Sequence, residues 1–178
     1  ESGDEKKLNA LKGETMAVIE LCQFDLTRCF GYPYTKDKGA SLGAPLIDHL
    51  VGTYENPPRS TVAQAYDFII ETLEEAVTLM SEEKNNGRMN KYAARALLAR
   101  IYLYHDDNRK AFDLADQLIK DADASGSYAL YPHEKYVAAW SVEAKFGSES
   151  FFEIANSVDD TPGRDSWGYL LNWYGYQK

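Results

Sequence analysis

The sequence has little positive charge, no long apolar run and few of the residues that build metal or covalent centres. Its 178 residues carry 19 Lys and Arg against 28 Asp and Glu, which gives a formal net charge of -9. An acidic protein repels the phosphate backbone of nucleic acid instead of displacing its counterions. A nucleic-acid partner is therefore not expected.

The chain also lacks an apolar run long enough to span a bilayer. Its richest apolar stretch, ARALLARIYLY at 94–104, is interrupted by Arg95 and Arg100, whereas a membrane helix needs roughly 20 apolar residues. With 44% hydrophobic and 26% charged residues, the composition is typical of one globular domain. No basic and apolar leader precedes the polar start at Glu1, so we expect any export signal to have been removed or never present.

Cysteine and histidine are too sparse to indicate a reactive or metal centre. Cys22 and Cys29 are seven residues apart on one predicted helix, about 10 Å between Cα atoms, which is too far for a disulfide. We expect both to be free, buried thiols. His49, His105 and His133 show no metal-ligand spacing. The sequence thus predicts no metal and no cofactor.

Acidic side chains give only a weak indication of catalysis. A glycosidase holds two carboxylates about 5 Å or about 6.5–9.5 Å apart across a cleft. The adjacent pairs at 106–107 and 159–160 point away from each other, and we interpret them as turn residues. The sequence does not favour an enzyme.

The first of four predicted helices runs from about Asp4 to Phe30 and is stopped by FGYP. Gly13 is its expected weak point. Its apolar spacing predicts one buried face that comprises Leu8, Leu11, Thr15, Val18, Cys22 and Cys29.

A long connection follows, because residues 31–46 are rich in glycine and proline and the irregular chain continues to NPPR at 56–59. Tyr32 and Tyr34 lie in this connection. We predict that they brace the loop rather than bind a ligand.

The second helix is predicted to begin at Thr61, where Gln64 completes a capping box, and to be ended by NNG at 85–87. The third is predicted to begin near Asn90, with alanines at 93, 94, 96 and 99 that let neighbours approach on several sides. It should be the central helix. The predicted apolar stripe of the second helix comprises Val62, Tyr66, Ile69, Leu73, Ala76 and Met80.

The fourth helix is predicted to begin at an Asn108 cap and to lie on the outside of the domain. Arg109 with Asp113 and Asp116 with Lys120 are i,i+4 pairs on its solvent side. A short polar turn joins it to the third helix, with part of the tetratricopeptide spacing. Its narrow apolar stripe comprises Ala111, Ala115, Leu118 and Ala122.

The pattern becomes irregular after residue 126. YALYPHEKYVAAW at 128–140 predicts an extended piece and a helical turn, with Trp140 in the core, and SESFFEIANSV at 148–158 predicts a short strand. We therefore predict one all-α domain over 1–178. It comprises a tetratricopeptide-like repeat of antiparallel helix pairs with long loops at 4–126, and a loop-rich appendage with a small extended or β element at 127–178.

Six segments of the chain, in order, resemble the SusD-like (SusD/RagB) family. They are CQFDLTRCFGYPYT, LGAPL, PPRSTVAQAYDFI, KYAARALLARIYLY, KAFDLADQLI and ESFFEIAN. The chain departs from the family where Glu20 and Leu21 replace a frequent arginine-alanine pair. The family's lipid-bearing cysteine and most of its longer C-terminal half are also missing, so we expect the N-terminal part of a larger protein.

The resemblance implies a non-catalytic glycan- or nutrient-binding lipoprotein on the outer membrane of a Gram-negative bacterium. Such a protein captures an oligosaccharide or another nutrient for a TonB-dependent, SusC-like transporter. Two other functions stay open: a helical-repeat scaffold that binds protein, and an outer-membrane glycoside hydrolase. Exposed aromatic residues in a loop-lined groove favour sugar, whereas a polar concave helix face without them favours a peptide.

The segment WGYLLNWYGY at 167–176 is the predicted ligand site, because it concentrates aromatic residues without a helix or strand period. Sugar rings stack on exposed aromatic planes while amides and carboxylates bind the hydroxyl groups. An ordinary apolar segment that packs on this domain or on the missing half is the alternative. The predicted contacts are Trp167, Tyr169, Asn172, Trp173 and Tyr174.

Overall fold

The computed structural model describes residues 4–140 and 145–154. This part of the chain is mostly helical with one small sheet, as predicted. The helices are α1 Glu5–Phe30, α2 Val62–Leu79, α3 Lys91–Tyr104, α4 Asn108–Ser125 and the single-turn α5 His133–Tyr136. Strands β1 Leu42–Pro45 and β2 Arg59–Thr61 pair antiparallel, and short 3-10 turns occupy Tyr34–Lys36 and Ala138–Trp140.

The sheet lies in the connection between α1 and α2, which we had predicted to be irregular. Arg59 holds the two strands together, since its side chain donates hydrogen bonds to the carbonyl oxygens of Gly43 at 2.7 Å and Leu42 at 3.0 Å. The predicted strand at 148–158 is not present in its described part, 148–154. Phe151 and Phe152 both pack against the core there instead of alternating between two faces.

Helix α1 has the predicted bounds, with the Asp4 side chain accepting a hydrogen bond from the backbone of Lys6. Its predicted buried face is wrong, because Leu8, Leu11 and Val18 are exposed. The helix instead packs through Phe24 together with small and polar residues. The buried residues are Gly13, Ala17, Glu20, Gln23, Phe24 and Thr27.

Gly13 lies where α1 approaches α2 closely, a packing role that we had not predicted. A Cβ atom at this position would lie 2.8 Å from the Ala76 carbonyl oxygen and 2.8 Å from Met80 Cγ. Glycine is therefore the residue that allows the two helix backbones to approach. The periodicity of large apolar residues does not report such a contact, which explains the wrong face.

The two cysteines lie on one continuous helix and are free, as predicted. Both are exposed, so the prediction that they are buried is wrong. The α1 face that carries Cys22 and Cys29 is turned away from α2, and the thiols do not contribute to the described core.

Helix α2 confirms the predicted start and the predicted stripe. Thr61 and Gln64 form the reciprocal capping box, and all six stripe residues are buried. The helix ends at Leu79, earlier than predicted, because Met80 adopts an extended conformation. The hydroxyl of Ser81 accepts a hydrogen bond from the Glu83 backbone, a local bond that competes with helix continuation.

Helix α3 is capped by Asn90, whose side chain accepts a hydrogen bond from the Ala93 backbone. It is buried on several sides and packs against both α2 and α4, as predicted for the central helix. Helix α4 is capped by Asp107 rather than by Asn108, which is its first residue. The ion pairs predicted on its solvent side are both present, at 2.8 Å and 2.6 Å.

Neighbouring helices run antiparallel, as in tetratricopeptide repeats. Lys12 near the start of α1 pairs with Glu75 near the end of α2 at 2.9 Å. Arg95 in α3 pairs with Asp121 late in α4 at 2.7 Å. Buried aromatic and aliphatic side chains fill the space between these layers.

The chain after α4 is tied to the repeat by Tyr128. Its hydroxyl accepts a hydrogen bond from Asn90 Nδ2 at 2.7 Å, and its ring lies 4.7 Å from the Phe151 ring, centroid to centroid. This contact fixes where the following loop, α5 and the 3-10 turn leave the helical core.

Candidate functional site

The five predicted ligand contacts lie outside the described residues. Trp167, Tyr169, Asn172, Trp173 and Tyr174 all fall in the segment 155–178. Their role therefore stays a prediction. The described chain nevertheless contains an aromatic surface that the sequence had not indicated as a ligand site.

A groove of about 540 Å³ opens beside α5 and the following 3-10 turn. We call it the Trp140 groove. Its aromatic wall consists of Tyr131, Tyr136 and Trp140, and its polar side carries Glu149, Ser150 and Glu153. Loops and a single helical turn build it, so it is the kind of loop-lined aromatic groove that favours sugar over peptide.

Trp140 had been predicted in the core, and that prediction is wrong within the described chain. Its side chain is 75% exposed and Tyr136 is 51% exposed. They are four positions apart in the sequence, and their rings meet edge to face with centroids 6.0 Å apart. The short helical turns 133–136 and 138–140 run over the surface, and none of their residues is buried.

Backbone donors hold the two carboxylates of the groove. Glu149 Oε2 accepts a hydrogen bond from the Tyr131 backbone at 3.0 Å, and Glu153 Oε2 accepts one from the Phe146 backbone at 2.8 Å. The hydrogen bond from Phe146 lowers the pKa of Glu153. Glu153 is therefore a fixed, ionised hydrogen-bond acceptor at neutral pH.

This combination suits a carbohydrate. Exposed indole and phenol rings offer flat apolar faces for the C–H side of a sugar ring. Fixed carboxylates accept hydrogen bonds from sugar hydroxyl groups, and charge-assisted bonds of this kind are among the strong ones. The groove is also within the size range of small-molecule sites.

The tyrosines of the connection after α1 behave differently from each other. Tyr34 is partly buried, with its ring centroid 4.3 Å from that of His105 and 5.8 Å from that of Tyr66. It braces the loop, as predicted. Tyr32 is 58% exposed and does not share that bracing role, although the Lys36 ammonium lies 3.0 Å from its ring centroid.

The acidic pair at 106–107 forms the turn between α3 and α4, as predicted, and the pair at 159–160 lies outside the described residues. His49 sits between Asp48 and Glu55, with each ring nitrogen 2.6 Å from a carboxylate oxygen. The hydrogen bond to Asp48, followed by that to Glu55, raises the pKa of His49. Within residues 4–140 and 145–154, no group of three or more His, Cys, Asp or Glu is arranged to hold a metal ion.

Comparison with known proteins identifies the family. The model of a SusD-like family, described as starch-binding and associating with the outer membrane, matches residues 1–103. The chain belongs to the SusD-like family. A search of curated protein sequences finds no match.

Solved structures agree with this assignment. A SusD superfamily protein from Bacteroides vulgatus is 99% identical with a TM-score of 0.93, and the match covers 100% of this chain and 40% of that one. A SusD superfamily protein from Bacteroides thetaiotaomicron is 41% identical, with a TM-score of 0.83 over 90% of this chain and 34% of that one. A SusD-like carbohydrate binding protein from Bacteroides vulgatus is 25% identical, with a TM-score of 0.75 over 90% and 33%. The chain thus spans well under half the length of these relatives.

The family description also concerns the membrane. Among the described residues, no helix combines the length and the apolar composition that a membrane span requires.

Proposed function

We propose that this protein is the glycan-binding component of an outer-membrane uptake system and that it holds an oligosaccharide at its exposed aromatic surface. The observation that carries the proposal is the pair Tyr136 and Trp140, exposed beside two carboxylates that backbone donors hold in place. The sequence-predicted contacts at 167–174 are proposed as further ligand residues. The family description as starch-binding supports the same substrate class.

The partner and the location follow from family membership and are part of the proposal. We propose a cell-surface lipoprotein of the outer membrane that passes its ligand to a TonB-dependent, SusC-like transporter. The association of the family with the outer membrane supports this. Antiparallel helix pairs present broad faces on which such a transporter can bind, since helical repeats commonly serve as interaction surfaces.

The proposed role is non-catalytic. A glycosidase needs one carboxyl group whose pKa is raised, so that it can protonate the leaving oxygen. Glu153 in the Trp140 groove has a lowered pKa instead. It is suited to bind a hydroxyl group and not to donate a proton.

A helical-repeat scaffold that binds protein is the second function weighed. A cleft of about 640 Å³ lies between the start of α1 and residues 79–90, and its described lining contains no aromatic side chain. A helix-lined cleft without aromatic side chains suits a peptide better than a sugar. The exposed indole in the other groove favours the carbohydrate.

A glycan array probed with the full chain, with a peptide array in parallel, tests the proposed function. We expect retention on a defined set of oligosaccharides and none above background on peptides. Starch-derived glycans should be among the probes, because the family description names starch. Retention on peptides alone would show that the scaffold alternative is the correct one.

A further inference from the structure

A second aromatic cavity lies where the C-terminal ends of α1 and α3 meet the 3-10 turn at Tyr34–Lys36. Its volume is about 400 Å³. We call it the Tyr66 pocket. The residues that define its walls are Arg28, Tyr32, Tyr34, Tyr66, Leu103 and Tyr104. Four of the ten described lining residues are tyrosines, and none of the ten is acidic.

Positive charge is concentrated beside this pocket. The guanidinium carbon of Arg28 lies 5.2 Å from the ring centroid of Tyr104, and that of Arg100 lies 5.9 Å from the same centroid. Asp25 pairs with Arg28 at 3.5 Å. Within the described chain, Arg100 makes no ion pair or hydrogen bond, and its guanidinium lies near the rings of Phe24 and Tyr104. Among the described residues, the Asp25 carboxylate pairs with Arg28 and not with Arg100.

Tyr66 supplies a polar group in the pocket wall. Its side chain is 3% exposed, and its hydroxyl makes no hydrogen bond within the described chain. Burial raises the pKa of Tyr66 to about 12. A tyrosine hydroxyl is protonated at neutral pH even without this shift, so it can donate a hydrogen bond to a ligand. The hydroxyl oxygen is not among the fully buried polar atoms of the described residues that lack a partner, so it can reach a ligand in the pocket.

These groups match an anionic sugar. A guanidinium binds a carboxylate with strong, directional hydrogen bonds, and the phenol rings provide faces for a sugar ring. A neutral glycan would leave the cationic side of the pocket unused. A carboxylate on a flexible peptide side chain would leave the tyrosine walls unused.

We propose that the Tyr66 pocket binds a uronic acid residue of an acidic glycan, with Arg28 facing its carboxylate and the Tyr66 hydroxyl donating to it or to a neighbouring oxygen. The proposal rests on the proposed function in one respect, namely that the ligand is a carbohydrate. It adds acidic glycans as a substrate class. The Trp140 groove, by contrast, carries carboxylates and suits the hydroxyl groups of a neutral sugar.

Calorimetric titration of the full chain with digalacturonate and with its fully methyl-esterified form tests the charge requirement. The two probes have the same rings, but only the acid carries carboxylates. We expect the acid to bind about tenfold to a hundredfold more tightly, as for charge-assisted hydrogen bonds. Its affinity should fall as the salt concentration rises. Equal affinities for the acid and the ester would overturn the proposal.

Two variants locate the binding site. Arg28→Gln should weaken acid binding by about tenfold or more and leave ester binding unchanged. Arg28 also packs on Phe24, so the milder Tyr66→Phe, which keeps the ring, provides the second variant and should weaken acid binding about fivefold. Arg109→Gln is the matched control, because Arg109 lies on the solvent side of α4 in an ion pair with Asp113.

The outcomes separate this proposal from the proposed function. If neutral glycans bind the protein but both variants bind the acid as the wild type does, the uronate site is refuted and glycan binding stands. If a glutamate-rich peptide binds in an Arg28-dependent way while digalacturonate does not, the pocket serves a protein carboxylate and the proposal is overturned. If no glycan binds at all, the proposed function itself fails.

Discussion

Glu20 shows at the scale of one residue how far this chain departs from an ordinary helical repeat. The side chain is 1% exposed on the inner face of α1, and its Oε2 atom has no hydrogen-bond partner among the described residues. Burial raises the pKa of Glu20 from 4.5 to about 7. Glu20 and Leu21 stand where the family often has an arginine-alanine pair. The sequence indicated the departure but not the burial, since a glutamate at a helix position is normally exposed.

This burial predicts an unusual dependence of stability on pH. The folded-state pKa of Glu20 lies above its unfolded value, so its contribution is neutral below about pH 4.5 and becomes destabilising as the pH rises towards 7. The cost then levels off at about 3 kcal/mol, because the pKa of Glu20 rises from 4.5 to about 7 and each tenfold change in proton affinity corresponds to about 1.36 kcal/mol. Glu20→Gln should remove most of this loss. Urea unfolding between pH 4.5 and pH 8 measures it.

Glu71→Gln is the matched control, because Glu71 is exposed on α2 and should leave the pH profile nearly unchanged. The wild type and Glu20→Gln should converge at low pH and diverge above neutrality. Parallel profiles across the whole range would mean that the Glu20 carboxyl is hydrated in solution.

At the scale of elements, the close approach of neighbouring helices determines which face of each helix is buried. The stripe and caps of α2 were predictable, because a regular amphipathic period and a capping box are local properties. The inner face of α1 was not, because Gly13 and Ala17 are small residues whose role depends on the position of α2. Strands β1 and β2 have four and three residues. Hydrogen bonds from Arg59 hold them, and a local pattern does not report such bonds.

Gly13→Ala should destabilise the protein although alanine is the better helix former by about 1 kcal/mol. Its added Cβ would meet the Ala76 carbonyl oxygen at 2.8 Å, and overpacking of this kind costs about 1–3 kcal/mol. Thermal unfolding measures the change. Asn9→Ala, at an exposed site of α1, is the control and should be neutral or slightly stabilising. A higher midpoint for Gly13→Ala would contradict the close crossing.

Ala99→Leu tests the packing of α3 in the same way. Ala99 is 9% exposed on the central helix, and three added carbon atoms should overpack its contacts by about 1–3 kcal/mol. Ala124→Leu, at an exposed position of α4, serves as the control. An unchanged melting midpoint for Ala99→Leu would show that space is available beside α3.

At the scale of the whole molecule, an acidic helical scaffold presents two aromatic surfaces with opposite electrostatic character. The Trp140 groove carries Glu149 and Glu153, whereas the Tyr66 pocket lies beside Arg28 and Arg100. The net charge does not indicate that one surface carries carboxylates and the other lies beside arginines, because it is a sum over the whole chain. The two surfaces therefore offer different ligand chemistries on one fold.

The proposed ligand surface was only partly predictable from the sequence. An aromatic residue four positions after another, as Trp140 follows Tyr136, fits a buried helical turn as well as an exposed platform. The choice between them depends on whether another part of the protein covers the turn. The carboxylate of Glu153 becomes a fixed acceptor only through the Phe146 backbone, which is a tertiary contact.

Trp173→Ala examines the predicted contacts outside the described residues. If Trp173 stacks on a sugar, its loss should weaken oligosaccharide binding by about 1–3 kcal/mol and leave the melting midpoint unchanged. A core tryptophan would instead cost about 3–5 kcal/mol of stability. Calorimetric titration and a melting curve on the same variant distinguish the two roles.

The most direct test of carbohydrate binding at the aromatic surface is calorimetric titration of Trp140→Ala with the glycan that the wild type binds most tightly on the array. We expect affinity to fall about tenfold to a hundredfold without a change in melting midpoint, because Trp140 is 75% exposed. Phe112→Ala, which removes a 64% exposed ring from α4, should bind as the wild type does. Wild-type affinity in Trp140→Ala would contradict the assignment of the Trp140 groove as the glycan site.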